Sequence, residues 1–146
     1  MMTINDIQDQ IIEEFEAFDD FLDRYAYIIE LGALLPAMPD VLKNPDNLID
    51  GCQSRVWVDC ALEHDGTMRV RADSDSSIVK GLVALVVRVY GGQSPKDIVD
   101  ADLYFIERIG LRDQLTPTRS NGLLSILKRV KASALAFTVL QERNNS

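Results

Sequence analysis

Apolar residues open the chain at spacings of three and four: Ile4, Ile7, Ile11 and Phe15, with Asp6, Asp9, Glu13 and Glu14 between them. That period turns one stripe inward and predicts an amphipathic helix, for which Thr3 is a suitable cap. A second helix is expected from about Asp19 or Asp20, burying Leu22, Tyr25, Ile28, Ile29 and Leu31 and closing at Gly32, where a glycine cap would belong. The two read as a helical hairpin. Pro36, Pro39 and Pro45 then deny both helix and central strand, so the chain from Leu34 to Asn47 reads as a surface-crossing loop.

At Ser54 the period changes to two. Val56, Val58, Cys60 and Leu62 alternate with Arg55, Trp57, Asp59 and Ala61; after the turn His64-Asp65-Gly66, Met68, Val70 and Ala72 alternate with Arg69 and Arg71. This is an antiparallel hairpin. A lone hairpin is marginal in water, so a short third strand is expected near 47–50, with helices over the apolar face. The polar face, with Arg55, Trp57, Arg69 and Arg71, reads either as a docking surface or as a face covered by a terminal helix.

The next helix, from Ser76 to about Tyr90, carries Ile78, Val79, Leu82, Val83, Leu85, Val86 and Val89, more than a single stripe. It should be central, capped by Ser74 or Asp75 and ended by Gly91-Gly92. Ser94-Pro95 starts a short helix, and Leu103 to Ile109 suggest another turn or two, closed by Gly110. A last helix opens around Pro117, turns Leu123, Leu124, Leu127, Val130 and Leu135 inward, and frays by Asn144. The expected class is α+β: a small antiparallel sheet covered by helices, in one domain over residues 1–146.

Composition narrows the partners. With 47% hydrophobic and 26% charged residues, the 146-residue chain has the make-up of a folded domain. Fifteen Lys and Arg against 23 Asp and Glu give a net charge of −8, a sign that repels phosphate backbones and anionic lipid, so neither nucleic acid nor membrane is expected as a partner. The first ten residues lack the basic-then-apolar pattern of a secretory signal, and the longest apolar run, 82–89, is broken by Arg88. A cytoplasmic protein is expected.

Phosphate-loop, dinucleotide-loop and H-E-x-x-H patterns are absent. Two cysteines and one histidine are too few for an ordinary zinc site, so no metal or other cofactor is expected, and His64 reads as an exposed turn residue. The lone histidine also disfavours a Cys–His pair. Cys60 shares the parity of Val56 and Val58, which makes it an inert core thiol. Cys52 lies in Asp50-Gly51-Cys52-Gln53-Ser54, ahead of the strand, where glycine permits a sharp turn and the thiol can stand at an exposed sheet end. On spacing alone, an idle thiol remains an equal reading.

Asn47-x-Ile49-x-Gly51-Cys52-Gln53-Ser54-x-Val56-Trp57 resembles the sulfur-acceptor motif of the SufE family. Three further blocks agree in order: Tyr25-x-Tyr27-Ile28-Ile29-Glu30-Leu31-Gly32 with Leu35-Pro36; Asp73-Ser74-Asp75-x-x-Ile78-Val79-Lys80-Gly81-Leu82; and Leu115-Thr116-Pro117-x-Arg119-Ser120-x-Gly122. The resemblance covers about Tyr25 to Gly122. It implies an α+β fold like that of the scaffold IscU, and a protein that takes persulfide sulfur from a SufS-like cysteine desulfurase onto Cys52, stimulates that enzyme and passes sulfur on for iron–sulfur cluster assembly.

On that reading Cys52 is the persulfide-forming nucleophile, Gly51 a hinge and Gln53 a hydrogen-bond donor. Arg119 is either a cation beside the thiolate or a solvated residue at a helix start. Asp75 is either a helix cap or a residue acting through the Cys52 loop. An iron–sulfur scaffold complex is the downstream acceptor implied, and a homodimer stays open. Two other readings stand beside this one: a non-catalytic regulator that binds the desulfurase, and a cluster scaffold, for which two cysteines fall short of the three such a role requires.

Overall fold

The structure, a computed structural model, describes residues 2–50, 53–111 and 117–144, the stretch 117–120 by its backbone alone. Among them are helices α1 (Ile4–Glu16), α2 (Phe21–Ala33), α3 (Ser77–Tyr90), α4 (Pro95–Asp100), α5 (Phe105–Arg108) and α6 (Pro117–Asn144), and strands β1 (Val56–Leu62) and β2 (Met68–Ser74). A 3-10 turn, Asp40–Leu42, interrupts the loop between α2 and β1. The class is α+β, as expected. No helix among the described residues is long and apolar enough to cross a membrane.

Local chemistry sets the helix starts. Thr3 and Asp6 form a reciprocal capping box on α1, and Asp20 caps α2 through the Leu22 N–H. At α3 the cap is Ser76, whose hydroxyl accepts from the Val79 N–H; the expectation that Ser74 or Asp75 would cap it is corrected. Both are engaged elsewhere, as the site shows.

Gly32 is also not a cap. α2 runs on to Ala33, and Gly32 is buried inside it where α2 crosses α3. A Cβ on Gly32 would stand 2.6 Å from the Gly81 nitrogen, and one on Gly81 only 2.0 Å from the Ile28 carbonyl oxygen. The two glycines let the helix backbones touch. Arg88 of α3 adds a forked ion pair to Glu14 of α1, whose carboxylate also accepts from the Tyr27 hydroxyl of α2.

β1 and β2 pair antiparallel, from Val56↔Ser74 to Leu62↔Met68. Their inward residues Val56, Val58, Met68, Val70 and Ala72 are buried against Leu82, Val86 and Val89 of α3 and against α6, in one apolar cluster. The third strand expected at 47–50 is reduced to a single bridge, Leu48↔Trp57. Asn44 and Asn47 hold a turn up to that point, Asn47 by donating its side-chain amide to the Leu42 carbonyl at 2.8 Å. The chain leaves β1 again at Asp50, so too few residues lie alongside for a ladder.

Stripe assignments hold in part. On α6 the buried apolar side chains are Leu123, Ile126, Val130 and Ala134, whereas Leu124 and Leu135 are exposed; on α2, Leu22 is 72% exposed. His64 is exposed in the hairpin turn, where Gly66 takes φ 88°. On the polar sheet face Lys43, from the loop before the bridge, sits 5.7 Å from the Trp57 ring centroid.

Candidate functional site

The motif lies between two anchored arms. On the incoming side, the Ile49 N–H donates to the Val56 carbonyl at 2.8 Å and the Val58 N–H to the Asn47 carbonyl at 2.9 Å, so residues 47–49 run antiparallel beside the start of β1. On the outgoing side, Arg55 is stitched to the end of β2. Its N–H donates to Asp75 Oδ1 at 3.0 Å, and its carbonyl accepts from the Asp75 N–H at 3.2 Å and the Ser74 hydroxyl at 2.8 Å. Asp75 is thus bonded to the Arg55 backbone and does not cap α3, whose cap is Ser76; a part played through the Cys52 loop stays an expectation.

Gly51 and Cys52, and the side chain of Arg119, lie outside the described residues. The residues flanking the pair, Asp50 and Gln53, are both exposed. Arg119 belongs by its backbone to the first turn of α6. The described structure thus joins Asp75 and the two arms in one place, and leaves the roles of Gly51, Cys52, Gln53 and Arg119 as expectations.

Two basic residues absent from the sequence reading come to the incoming arm from α6. Arg129 donates from Nη1 to the Asp46 carbonyl at 3.0 Å and from Nη2 to the Leu48 carbonyl at 3.2 Å. Lys128 is exposed beside it. Together with Ile49, Asp50, Ser125 and Ala132 they line an open groove of about 310 Å³ between the arm and the helix. Only a faint signal marks Arg129 in the sequence: it sits at the rim of the α6 apolar stripe, where a long stem covers apolar surface while its head reaches out. Its carbonyl partners lie more than 80 positions away.

A third support underlies the arms. Asp73, buried in β2, accepts from Lys43 Nζ at 2.8 Å, lies 3.5 Å from Lys80 Nζ, and accepts from the Ser74 N–H at 2.8 Å. Burial alone would push its carboxyl up, but these neighbours together hold it below the ordinary aspartate range. Lys43 in turn is held charged by Asp73, and so ties the loop before the bridge to the sheet.

Cys60 is half-buried on the core side of β1, packed against the apolar cluster. Burial pushes its thiol up to about 11, against the smaller opposing effects of the Ser133 hydroxyl and the Arg129 charge. It is a poor source of thiolate at neutral pH. Among the described residues no group of three or more His, Cys, Asp or Glu is placed to hold a metal ion.

Two comparisons bear on this arrangement. A family model described as SufE, Fe-S metabolism associated domain, matches residues 9–134. A solution structure of a hypothetical protein from Thermus thermophilus is similar in fold, with a TM-score of 0.74 at 24% identity over 91% of this chain and 96% of that one.

Proposed function

The chain belongs to the SufE family, whose domain is associated with Fe-S metabolism, and on that premise we propose that it is a sulfur acceptor and carrier, a single domain over 1–146 that works in the cytoplasm with a SufS-like cysteine desulfurase. The Cys52 thiolate attacks the outer sulfur of a persulfide on the desulfurase. The sulfur–sulfur bond there breaks, the desulfurase cysteine leaves as its thiolate, and Cys52 becomes Cys52–S–SH. One sulfur atom moves with no net oxidation or reduction, and no cofactor is required. The persulfide then passes to an iron–sulfur scaffold complex.

The observation that carries this reading is the family's acceptor motif lying between two independently anchored arms. A cysteine that must enter another protein's active site needs a short loop on a rigid base, because ordering a long one would oppose docking. The state of Cys60 is compatible with it: burial favours the protonated thiol there, which makes Cys60 a poor alternative nucleophile. Gly51 supplies hinge freedom, Gln53 a donor beside the thiol, and Arg119 a cation that favours the thiolate. A moderate shift suits the step best, since nucleophilicity falls as the thiol becomes more acidic.

The alternative with a distinct prediction is a regulator that stimulates the desulfurase without carrying sulfur. Cys52→Ser separates the two. As a carrier, the variant binds the desulfurase but loses stimulation of alanine release from cysteine in the absence of added reductant. Undiminished stimulation would establish the regulator and end the carrier reading.

A further inference from the structure

We propose that Arg129 is a positioning residue for the acceptor loop, holding the arm that leads into Cys52 in register beside β1; this rests on the acceptor reading above. Its guanidinium is planar and forked, and it spans the carbonyls of Asp46 and Leu48, two residues apart on the arm. These carbonyls flank Asn47, whose own carbonyl faces β1. At the end of the turn the Asn47 carbonyl pairs with the strand, while the carbonyls on either side of it accept from the arginine. One side chain from α6 thus completes the pairing of a segment too short to form a ladder.

The neighbouring chemistry fits a clamp. None of the ion pairs among the described residues uses Arg129, so its charge is directed to the two carbonyls, and charge-assisted bonds of this kind are about twice as strong as neutral ones. The Asp75 contacts hold the outgoing arm from the opposite side of the loop. With both arms fixed, docking does not have to order them, which lowers the acceptor concentration needed while leaving the sulfur-transfer step alone.

Amide exchange and acceptor kinetics on Arg129→Ala and Arg129→Lys test this. In Arg129→Ala, exchange at the Ile49 and Val58 N–H groups is expected to speed by about tenfold, the scale of a lost charge-assisted hydrogen bond, with α3 amides unchanged. The acceptor concentration for half-maximal desulfurase stimulation rises at least about threefold at an unchanged maximal rate. Arg129→Lys, which keeps charge and stem but cannot span both carbonyls, falls between; should the alanine variant fail to fold, the lysine variant carries the test. Exchange at Ile49 and Val58 within about twofold of wild type in a folded variant overturns the proposal. So does a fall in maximal rate at unchanged half-saturation. A wild-type protein whose Cys52 takes up no sulfur sinks the acceptor reading instead, and the exchange data still decide whether Arg129 anchors the arm.

Discussion

The reactivity of Cys60 is set by where the fold places it. Cys60 points into the cluster between β1 and α6, where the cost of burying its charge outweighs the Ser133 hydroxyl and the Arg129 charge, and its thiol is raised from 9.0 to about 11. At pH 8 only about one folded molecule in a thousand would carry its thiolate. Iodoacetamide is therefore expected to leave Cys60 unlabelled in the folded protein at pH 8, and to label it once urea unfolds the chain. The same shift has a stability consequence. Between about pH 9 and 11 the unfolded chain releases the Cys60 proton while the folded one retains it, so stability falls as pH rises through that window. Cys60→Ala should show a shallower alkaline loss in urea titrations; an identical slope would contradict the assignment. Strand parity alone made the inward aspect of Cys60 legible. The work of Asp75 was not, because its partner, the Arg55 N–H, lies 20 residues back, and a Ser-Asp-Ser run before a helix offers several equivalent caps.

Among elements, the crossing of α2 on α3 governs how the helices sit on the sheet. Gly81 is the tighter of the two contact points, since the atom met by an added Cβ is the Ile28 carbonyl oxygen, which cannot swing away as a side chain could. Gly81→Ala is expected to cost about 3 kcal/mol, the upper part of the overpacking range, and to lower Tm by roughly 6–12 °C in a protein of this size. A Tm within about 2 °C of wild type in thermal unfolding would show that the helices separate freely. The starts of α1 and α2 and the hairpin were legible because they depend on neighbours in sequence: Thr3 with Asp6, Asp20 with Leu22, alternation with a glycine turn. The third strand failed as an expectation because its extent depends on where the arm leaves β1. Gly32 was misread because a glycine near a helix end fits a cap and a close crossing equally well; only the position of Gly81 distinguishes them. Leu124 and Leu135 satisfied a loose apolar period, but the buried face of α6 is the narrower set Leu123, Ile126, Val130 and Ala134.

At the scale of the molecule, helices, sheet and loop combine into one arrangement. α3 forms the central support, α1 and α2 lie against it, and α6 closes the apolar face of the hairpin and reaches over to the arm before Cys52. Ion pairs link parts distant in sequence, Glu14 with Arg88 and Lys43 with Asp73. The α+β class and the order of elements followed from changes in hydrophobic period, and the family from four short blocks. What the sequence could not supply was the joining of those blocks, since the Asp73-Ser74-Asp75 block and α6 meet the acceptor motif only after folding. The central claim is that sulfur passes onto Cys52. Its most direct test is mass spectrometry of the protein after incubation with a cysteine desulfurase and cysteine, followed by peptide mapping without reductant. The account predicts one added sulfur atom on the peptide containing Cys52 and none on that containing Cys60; an unmodified Cys52 peptide alongside a turning-over desulfurase would contradict it.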